Sequence, residues 1–286
     1  MGYTEAMTQF LTDNELIVRL IAFFSVLLVV AGAEALIPRR ALRFSRWVRW
    51  PSNITIVFMN SILVRLILPM APIGFAAYAA EREWGLMPQL GVPDGLAVLL
   101  CVVLLDMAIY FQHVMVHAVP VLWRLHRMHH ADTDYDVTTG ARFHPIEIVL
   151  SLGIKLSVIA LIGAPMLAVL IFEILLNATA MFNHGNIALP LGLDRVLRLF
   201  VVTPDMHRVH HSVLPAETNS NFGFNLPWWD RLFGTYKAQP EAGHEAMTIG
   251  LDLFREPDDQ RLDRMLVQPF RAEAGEYAVN RRDWDG

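Results

Sequence analysis

Two histidine triplets of the same form carry the clearest chemistry in this chain. WRLHRMHHAD holds His126, His129 and His130 in the pattern H-x-x-H-H, and TPDMHRVHHS repeats it with His207, His210 and His211. Upstream, QHVMVH adds His113 and His117. In a helix, residues three and four apart share a face, so each group presents its imidazoles together. Neutral imidazole is the commonest protein metal ligand and suits zinc, copper, iron and nickel. So many imidazoles exceed what one ion can hold, which implies two ions sharing the set. His144 in FHPIE and His184 in FNHGN lie between the triplets, and His244 is remote and stands alone.

These residues must be positioned by a membrane scaffold. The chain has 286 residues, 54 % of them hydrophobic and 18 % charged, against roughly 25 % charged in an ordinary soluble domain. A net charge of −5 argues against nucleic-acid binding, which leaves a basic footprint. The single cysteine, Cys101, excludes an intrachain disulfide and a cysteine-ligated zinc or iron–sulfur centre. Leu16 to Leu36, Ile54 to Ala80 and Leu96 to Pro120 each reach spanning length. The second is broken by Pro69 and Pro72. Ile146 to Phe182 is too long for one span, and Gly163, Ala164 and Pro165 divide it into a helical hairpin. No secretory signal is expected, because the first apolar run lacks a basic n-region and a cleavage site.

The fold class expected is therefore all-α: a polytopic membrane protein with four to five transmembrane helices, one hairpin among them, and a cytoplasmic helical cap holding a histidine-rich dimetal site. Residues 1–95 form an N-terminal region with two spans, 96–240 the catalytic domain, and 241–286 a polar cytoplasmic tail. Pro38 to Trp50 carries five arginines and no acid, which the positive-inside rule assigns to the cytoplasm. Alternation of the spans then brings ten of the eleven histidines to that one membrane face. The arginines fix topology and touch anionic lipid, or receive an acidic electron donor. Ile187 to Val202 is expected to lie flat at the interface, at the depth of Trp228 and Trp229.

The boxes H-x-x-x-H, H-x-x-H-H and again H-x-x-H-H, set among apolar spans, resemble the fatty acid hydroxylase/sterol desaturase superfamily of integral-membrane di-iron oxygenases. GARFHPIE after the second box, NHGN before the third and NFGFNLPWWDRLFGTY after it agree, over roughly residues 96 to 237. The resemblance implies a stem of spans and a cap with two metals. By motif position its metal ligands are His113, His117, His126, His129, His130, His184, His207, His210 and His211, with His144 a further participant. Some members have another histidine box where this chain has only His184, so water, Asn183 or Asn186 completes the second ion.

The implied chemistry is oxidation of an unactivated C–H bond by O2 at two iron ions cycling between Fe2+ and Fe3+. The cofactor supplies the reactivity and the protein orients substrate and metal. The product is an alcohol or an alkene. Asp106, an acid inside the third span and so a functional candidate by default, and Asp205, beside the second triplet, are the candidate catalytic acids. Asp132, Asp134, Asp136 and Glu147 are placed to orient histidines, and Arg65 and Glu173 are possible intramembrane partners. The chain has no G-x-G-x-x-G and no haem-binding motif. Electrons must therefore come from a separate ferredoxin, rubredoxin or cytochrome reductase, and the substrate is a lipid from the bilayer. The expected location is a bacterial inner membrane with the metal site on its cytoplasmic face. The alternative is a non-catalytic or metal-transporting membrane protein. A haem carrier would need facing histidine pairs at mid-membrane, and a zinc hydrolase would leave most of the histidines unexplained.

Overall fold

The computed structural model describes residues 10–272, apart from residue 12, and residue 277. Its principal helices are α1 (Glu15–Leu36), α2 (Arg46–Ile67), α3 (Ala71–Ala80), α4 (Asp94–Ala118), α5 (Pro120–His130), α6 (Pro145–Ile162), α7 (Met166–Asn183), α8 (Leu191–Leu197), α9 (Pro204–His210) and α10 (Trp228–Phe233). Pairing between extended segments is limited, among the described residues, to the bridges Pro38–Ile187 and Ser212–Ile249.

Five helical stretches are long and apolar enough to cross a membrane: Glu15–Leu36, Arg46–Ala80, Asp94–Ala118, Pro145–Ile162 and Met166–Asn183. At about 1.5 Å per residue, the 22 residues of α1 cover a hydrocarbon layer of about 30 Å. The stretch from Arg46 to Ala80 is longer than that layer and breaks around Pro69, where α2 stops at Ile67 and α3 starts at Ala71. The hairpin turns where the sequence indicates. Gly163 ends α6 in the left-handed conformation at φ +69°, and Pro165 opens α7. A Cβ on Gly163 would lie 2.5 Å from the Trp84 carbonyl oxygen, so glycine is required on steric grounds as well.

The stem core joins α3, α4, α6 and α7 through Ile73, Ala76, Cys101, Leu105, Ile109, Ile159, Val169 and Phe172. Helix α1 packs along α7, and α2 along α6. The outward faces keep their apolar side chains exposed, among them Ile21, Leu28, Val29, Ile62, Leu66 and Leu99. In water such a surface would be an aggregation liability. In hydrocarbon it is solvated, and the protein is integral to the membrane.

Several charged residues find other partners than the sequence suggests. Glu173 pairs with Lys155 at 2.9 Å and with Arg19 at 3.0 Å, while Arg65 lies 3.7 Å from Glu15. The expected Arg65–Glu173 pair does not form, because Glu173 is buried between helices and Arg65 sits on an exposed face. The basic loop after α1 turns inward. Arg39 bonds Asp205 and Glu245, and Arg40 donates to the carbonyls of His244 and Met247 at 2.7 Å each. Of the segment after residue 240, residues 241–272 and residue 277 are described and the rest lies outside the described residues; its start meets the cap, with His244 only 5 % exposed and 3.7 Å from Asp205. His244 is thus neither remote nor alone. Helix α8 and the turn after it present apolar side chains outward, including Leu191, Val196, Leu199 and Phe200, and Trp228 is half-exposed beside them. Trp229 instead is buried and donates to Asp106 at 2.8 Å.

Arg49 ties the stem to the cap. Its side chain is fully buried and meets Asp132 with two bonds of 2.5 and 2.8 Å and Asp136 with one of 2.7 Å. Burial alone would raise the Asp132 carboxyl; Arg49 and Arg142 bring it down to about 2. Removing one partner of a buried network leaves uncompensated charge, at a cost of about 3–5 kcal/mol. Arg49→Met should therefore lower stability by about that amount, read as a drop in the unfolding midpoint in detergent. An unchanged midpoint would show that the cap does not depend on this contact.

Candidate metal centre

The two triplets do not act as units. His126 and His130, at i and i+4 on α5, join His113 and His117 of α4 and His210 of α9; all five offer a ring nitrogen within 4.8 Å of the others. His129 points the other way and joins His184, His207 and His211 in a second group of the same tightness. Each triplet thus gives an i,i+4 pair to one group and its third histidine to the other, and the two triplets do so in opposite senses. Helical spacing puts three imidazoles on one broad face. It does not say which neighbour each will meet. The groups abut, with His130 stacked on His211 at 4.6 Å between ring centres and His129 at the same distance from His211.

In the first group the tautomers are fixed by oxygen acceptors. The Nδ1–H of His113 donates to the Phe222 carbonyl at 2.8 Å, that of His117 to Asn219 Oδ1 at 3.1 Å, that of His126 to Glu147 at 2.7 Å and that of His210 to the Ser220 carbonyl at 2.7 Å. A ring that donates from Nδ1 carries its lone pair on Nε2. The Nε2 atoms of His113, His117, His126, His130 and His210 are all buried without a hydrogen-bond partner. Buried nitrogens are seldom left unpaired, and five converging lone pairs match the first coordination sphere of a cation. In the second group, His184 donates from Nδ1 to the Ala180 carbonyl at 2.8 Å, and its Nε2 lies 3.2 Å from the Nε2 atoms of both His129 and His207. Bare lone pairs this close repel unless a cation or proton sits among them. The donor sets fit two metal ions.

A metal needs these rings neutral. Burial pushes His129, His130, His207, His210 and His211 well below the ordinary histidine range, and repulsion by neighbouring imidazoliums adds to it. Burial also takes His184 down to about 4.

The remaining candidates have different roles. His144 lies in neither group. It caps α6, accepting from Ile146 N at 3.2 Å, and its Nε2 meets the Leu266 carbonyl at 3.3 Å. Asn183 and Asn186 hold backbone: Asn183 donates to the Phe224 carbonyl, and Asn186 bridges both backbone polar groups of Arg40. Of the acids near the boxes, Glu147 takes a histidine, whereas Asp132 and Asp136 take Arg49.

Asp106 accepts from the backbone N–H groups of Asn225 and Leu226, 3.2 Å each, and from Trp229. Asp230 accepts from Phe222 N, Gly223 N and Thr235 Oγ1. These two carboxylates therefore clamp the loop whose Asn219, Ser220 and Phe222 orient three histidines. Asp205 is bonded to Arg39 and Arg208. Both candidate catalytic acids are thus engaged, Asp106 by backbone N–H groups and Trp229, and Asp205 by two arginines. Sequence reasoning did not single out the acceptors at 219–222 or Asp230. Their signal lay in the NFGFNLPWWD stretch, where Gly223 has no room for a Cβ beside Asp230, at 2.6 Å. Gly140 is similarly required, its Cβ position being 2.6 Å from the Ala180 oxygen and 2.9 Å from His184 Nδ1.

The fatty acid hydroxylase family model matches residues 98–235. The ornithine lipid hydroxylase OlsE of Rhizobium tropici is 28 % identical over 245 residues, 84 % of this chain and 73 % of that protein. Human alkylglycerol monooxygenase is 31 % identical over 152 residues, which are 52 % of this chain but 32 % of the relative. Rat cholesterol 25-hydroxylase is 25 % identical over 148 residues, 51 % of this chain and 48 % of the relative. No solved structure gives a significant match.

Two outcomes follow from the geometry. Alanine at His210 or at His184 should each lower bound metal to about one ion per chain by elemental analysis, because each variant opens one group only. His144→Ala should leave the metal content unchanged and cost about 1 kcal/mol, as the loss of a helix cap does. The second outcome concerns acid. A histidine whose folded pKa lies below its unfolded value of about 6.5 stabilises the fold fully above that pH. That stability is lost as pH falls, because the unfolded chain then binds protons that the fold refuses. With His184 at about 4, metal retention and unfolding midpoint should both decline between about pH 6.5 and 4. Flat profiles across that window would contradict the neutral-imidazole site.

Proposed function

Because the chain belongs to the fatty acid hydroxylase/sterol desaturase superfamily, we propose that it is a membrane-bound di-iron monooxygenase that hydroxylates an aliphatic carbon of a membrane lipid. The observation that carries this reading is the pair of abutting imidazole groups, five and four strong, at the inner ends of apolar spans. Zinc sites are usually complete with three or four protein ligands. Two adjacent nitrogen-rich sites instead suit a redox pair, and an unactivated C–H bond requires one. The balanced reaction is R–H + O2 + 2 e− + 2 H+ giving R–OH + H2O. Hydroxylation is favoured over desaturation because the relatives bear the names hydroxylase and monooxygenase.

His113, His117, His126, His130 and His210 would hold one ion, and His129, His184, His207 and His211 the other. When bound, the irons supply O2 reduction and hydrogen abstraction. The chain's own part is to aim nine imidazoles, to exclude bulk water by burying them, and to bring the lipid carbon close. An apolar cavity of about 90 Å³ lies between α4, α5 and α6, lined by Met115, Val116, Leu122, Leu125, Leu150 and Ile154. Glu147, the partner of His126, lines it too. The lining suits a short stretch of an acyl or alkyl chain, on the order of a few methylene groups.

The two electrons come from a separate donor protein of ferredoxin, rubredoxin or cytochrome reductase type, since the sequence offers no other redox cofactor motif. The metal site faces the cytoplasm, on the side of the arginine-rich loop, and the membrane is a bacterial inner membrane. Protein purified without oxygen should contain about two irons per chain, as two separate ligand groups require. Cells expressing it under 18O2 should accumulate a lipid heavier by one labelled oxygen, detected by mass spectrometry and absent with His129→Ala. Unlabelled lipids, or transport of metal ions in proteoliposomes without oxidation, would overturn the reading.

A further inference from the structure

A cavity of about 390 Å³ lies between the loop after α1, the stretch after α5 and residues 246–249. That volume falls in the range of small-ligand pockets. Its lining is cationic: Arg40, Arg43 and Arg255 face it with a single carboxylate, Asp134. That carboxylate is already engaged, by the backbone N–H groups of Arg43 at 2.6 Å and Phe44 at 3.0 Å. Arg40 and Arg255 are held by neutral acceptors, the carbonyls of His244 and Met247 for the first and of Ile249 and Leu251 for the second. The guanidinium of Arg43 lies 5.1 Å over the Phe44 ring. Among the described residues, none of the three forms an ion pair with a carboxylate within 4.0 Å. Burial and the nearby guanidiniums of Arg208 and Arg39 lower Arg40, and burial and Arg43 lower Arg255, while Asp134 offsets part of the effect at both and Asp252 part of it at Arg255. Three guanidiniums facing one concave space are electrostatically unfavourable by themselves, and an anion there relieves them.

We propose that this cavity is an anion-binding site for a phosphate or carboxylate group, held by Arg40, Arg43 and Arg255. Thr133 and Thr248 line it as well and offer hydroxyl donors. The site touches the second histidine group through one side chain. Tyr135 lines the cavity, donates its hydroxyl to the Asn183 carbonyl at 2.5 Å, and lies 5.5 Å from the ring of His184 and 5.2 Å from that of His211. An occupant is therefore one aromatic ring away from the metal centre. The same chemistry is offered by the headgroup of an anionic lipid and by a free soluble anion. The inference stands whether or not the histidine groups carry out oxidation.

The test uses the full chain, first in uncharged detergent with inorganic phosphate as the probe. Saturable stabilisation by phosphate, with no effect of chloride at matched ionic strength, indicates a free anion as occupant. The response should weaken about tenfold or more in Arg43→Gln, the loss expected for a charge-assisted bond, and should persist in Arg82→Gln at the far end of the stem. The second arm compares nanodiscs of phosphatidylcholine with nanodiscs containing phosphatidylglycerol. A higher unfolding midpoint in the anionic discs that depends on Arg43, with no response to phosphate, assigns the site to a lipid headgroup. Arg43 is exposed and bonds no carboxylate, so its glutamine variant should fold. If neither phosphate nor anionic lipid stabilises the protein, or if Arg43→Gln responds like the parent, the proposal is wrong.

Discussion

Nine imidazoles gathered in one buried volume are the constraint on which the rest of the structure depends. An unpaired buried polar atom is costly, and five of the rings meet an acceptor on one side and converge on their neighbours with the other. Acceptors are supplied from unlike sources: a carboxylate at Glu147, an amide at Asn219, and carbonyls at Ala180, Ser220 and Phe222. The carbonyls of residues 220 and 222 can serve only because the loop after α9 is irregular. A helix would have spent them on its own N–H groups. The loop must then be fixed by other means, and Asp106 and Asp230 do this by taking its free N–H groups.

The same reasoning accounts for the charge buried in the cap. Residues 131–141 carry three aspartates close to the second histidine group, and their charge needs compensation. Arg49 provides it from α2, at a sequence distance of 83 residues from Asp132. The arginine-rich loop thereby serves the cap more than the lipid: Arg39, Arg40 and Arg49 are all bonded inside the protein. A basic cluster beside the first span is part of the scaffold around the histidine groups.

What the sequence made legible follows from local physics. Spans, the hairpin break at Gly163 and Pro165, and the convergence of the boxes at one end of the stem depend on hydropathy, turn chemistry and helical period. The splitting of each triplet was not legible, because His129 and His130 differ only in which partner helix they meet. The contacts of Asp106 were not legible for a related reason. An intramembrane acid signals function by its cost, but its partners, Asn225, Leu226 and Trp229, lie some 120 residues on. His144 has the right residue type and a family motif around it, yet its Nδ1 is taken by the N-terminus of α6. His244 looked isolated because its contact with Asp205 depends on the chain folding back over the cap.

The two histidine groups also differ in what surrounds them. The five-membered group borders the apolar cavity through Glu147 and the residues next to His117. The four-membered group borders the cationic cavity through Tyr135. Fewer protein ligands leave more positions open on an ion, so an ion held by the second group would have the greater room for an exogenous ligand. An apolar chain cannot approach from the arginine-lined side without desolvating charge, and an anion cannot approach from the leucine-lined side without losing its hydration. The polarity of the two approaches therefore separates what reaches each group. It follows from the order of elements along the chain, since α4 to α6 form one wall and the loops after α1 and α5 form the other.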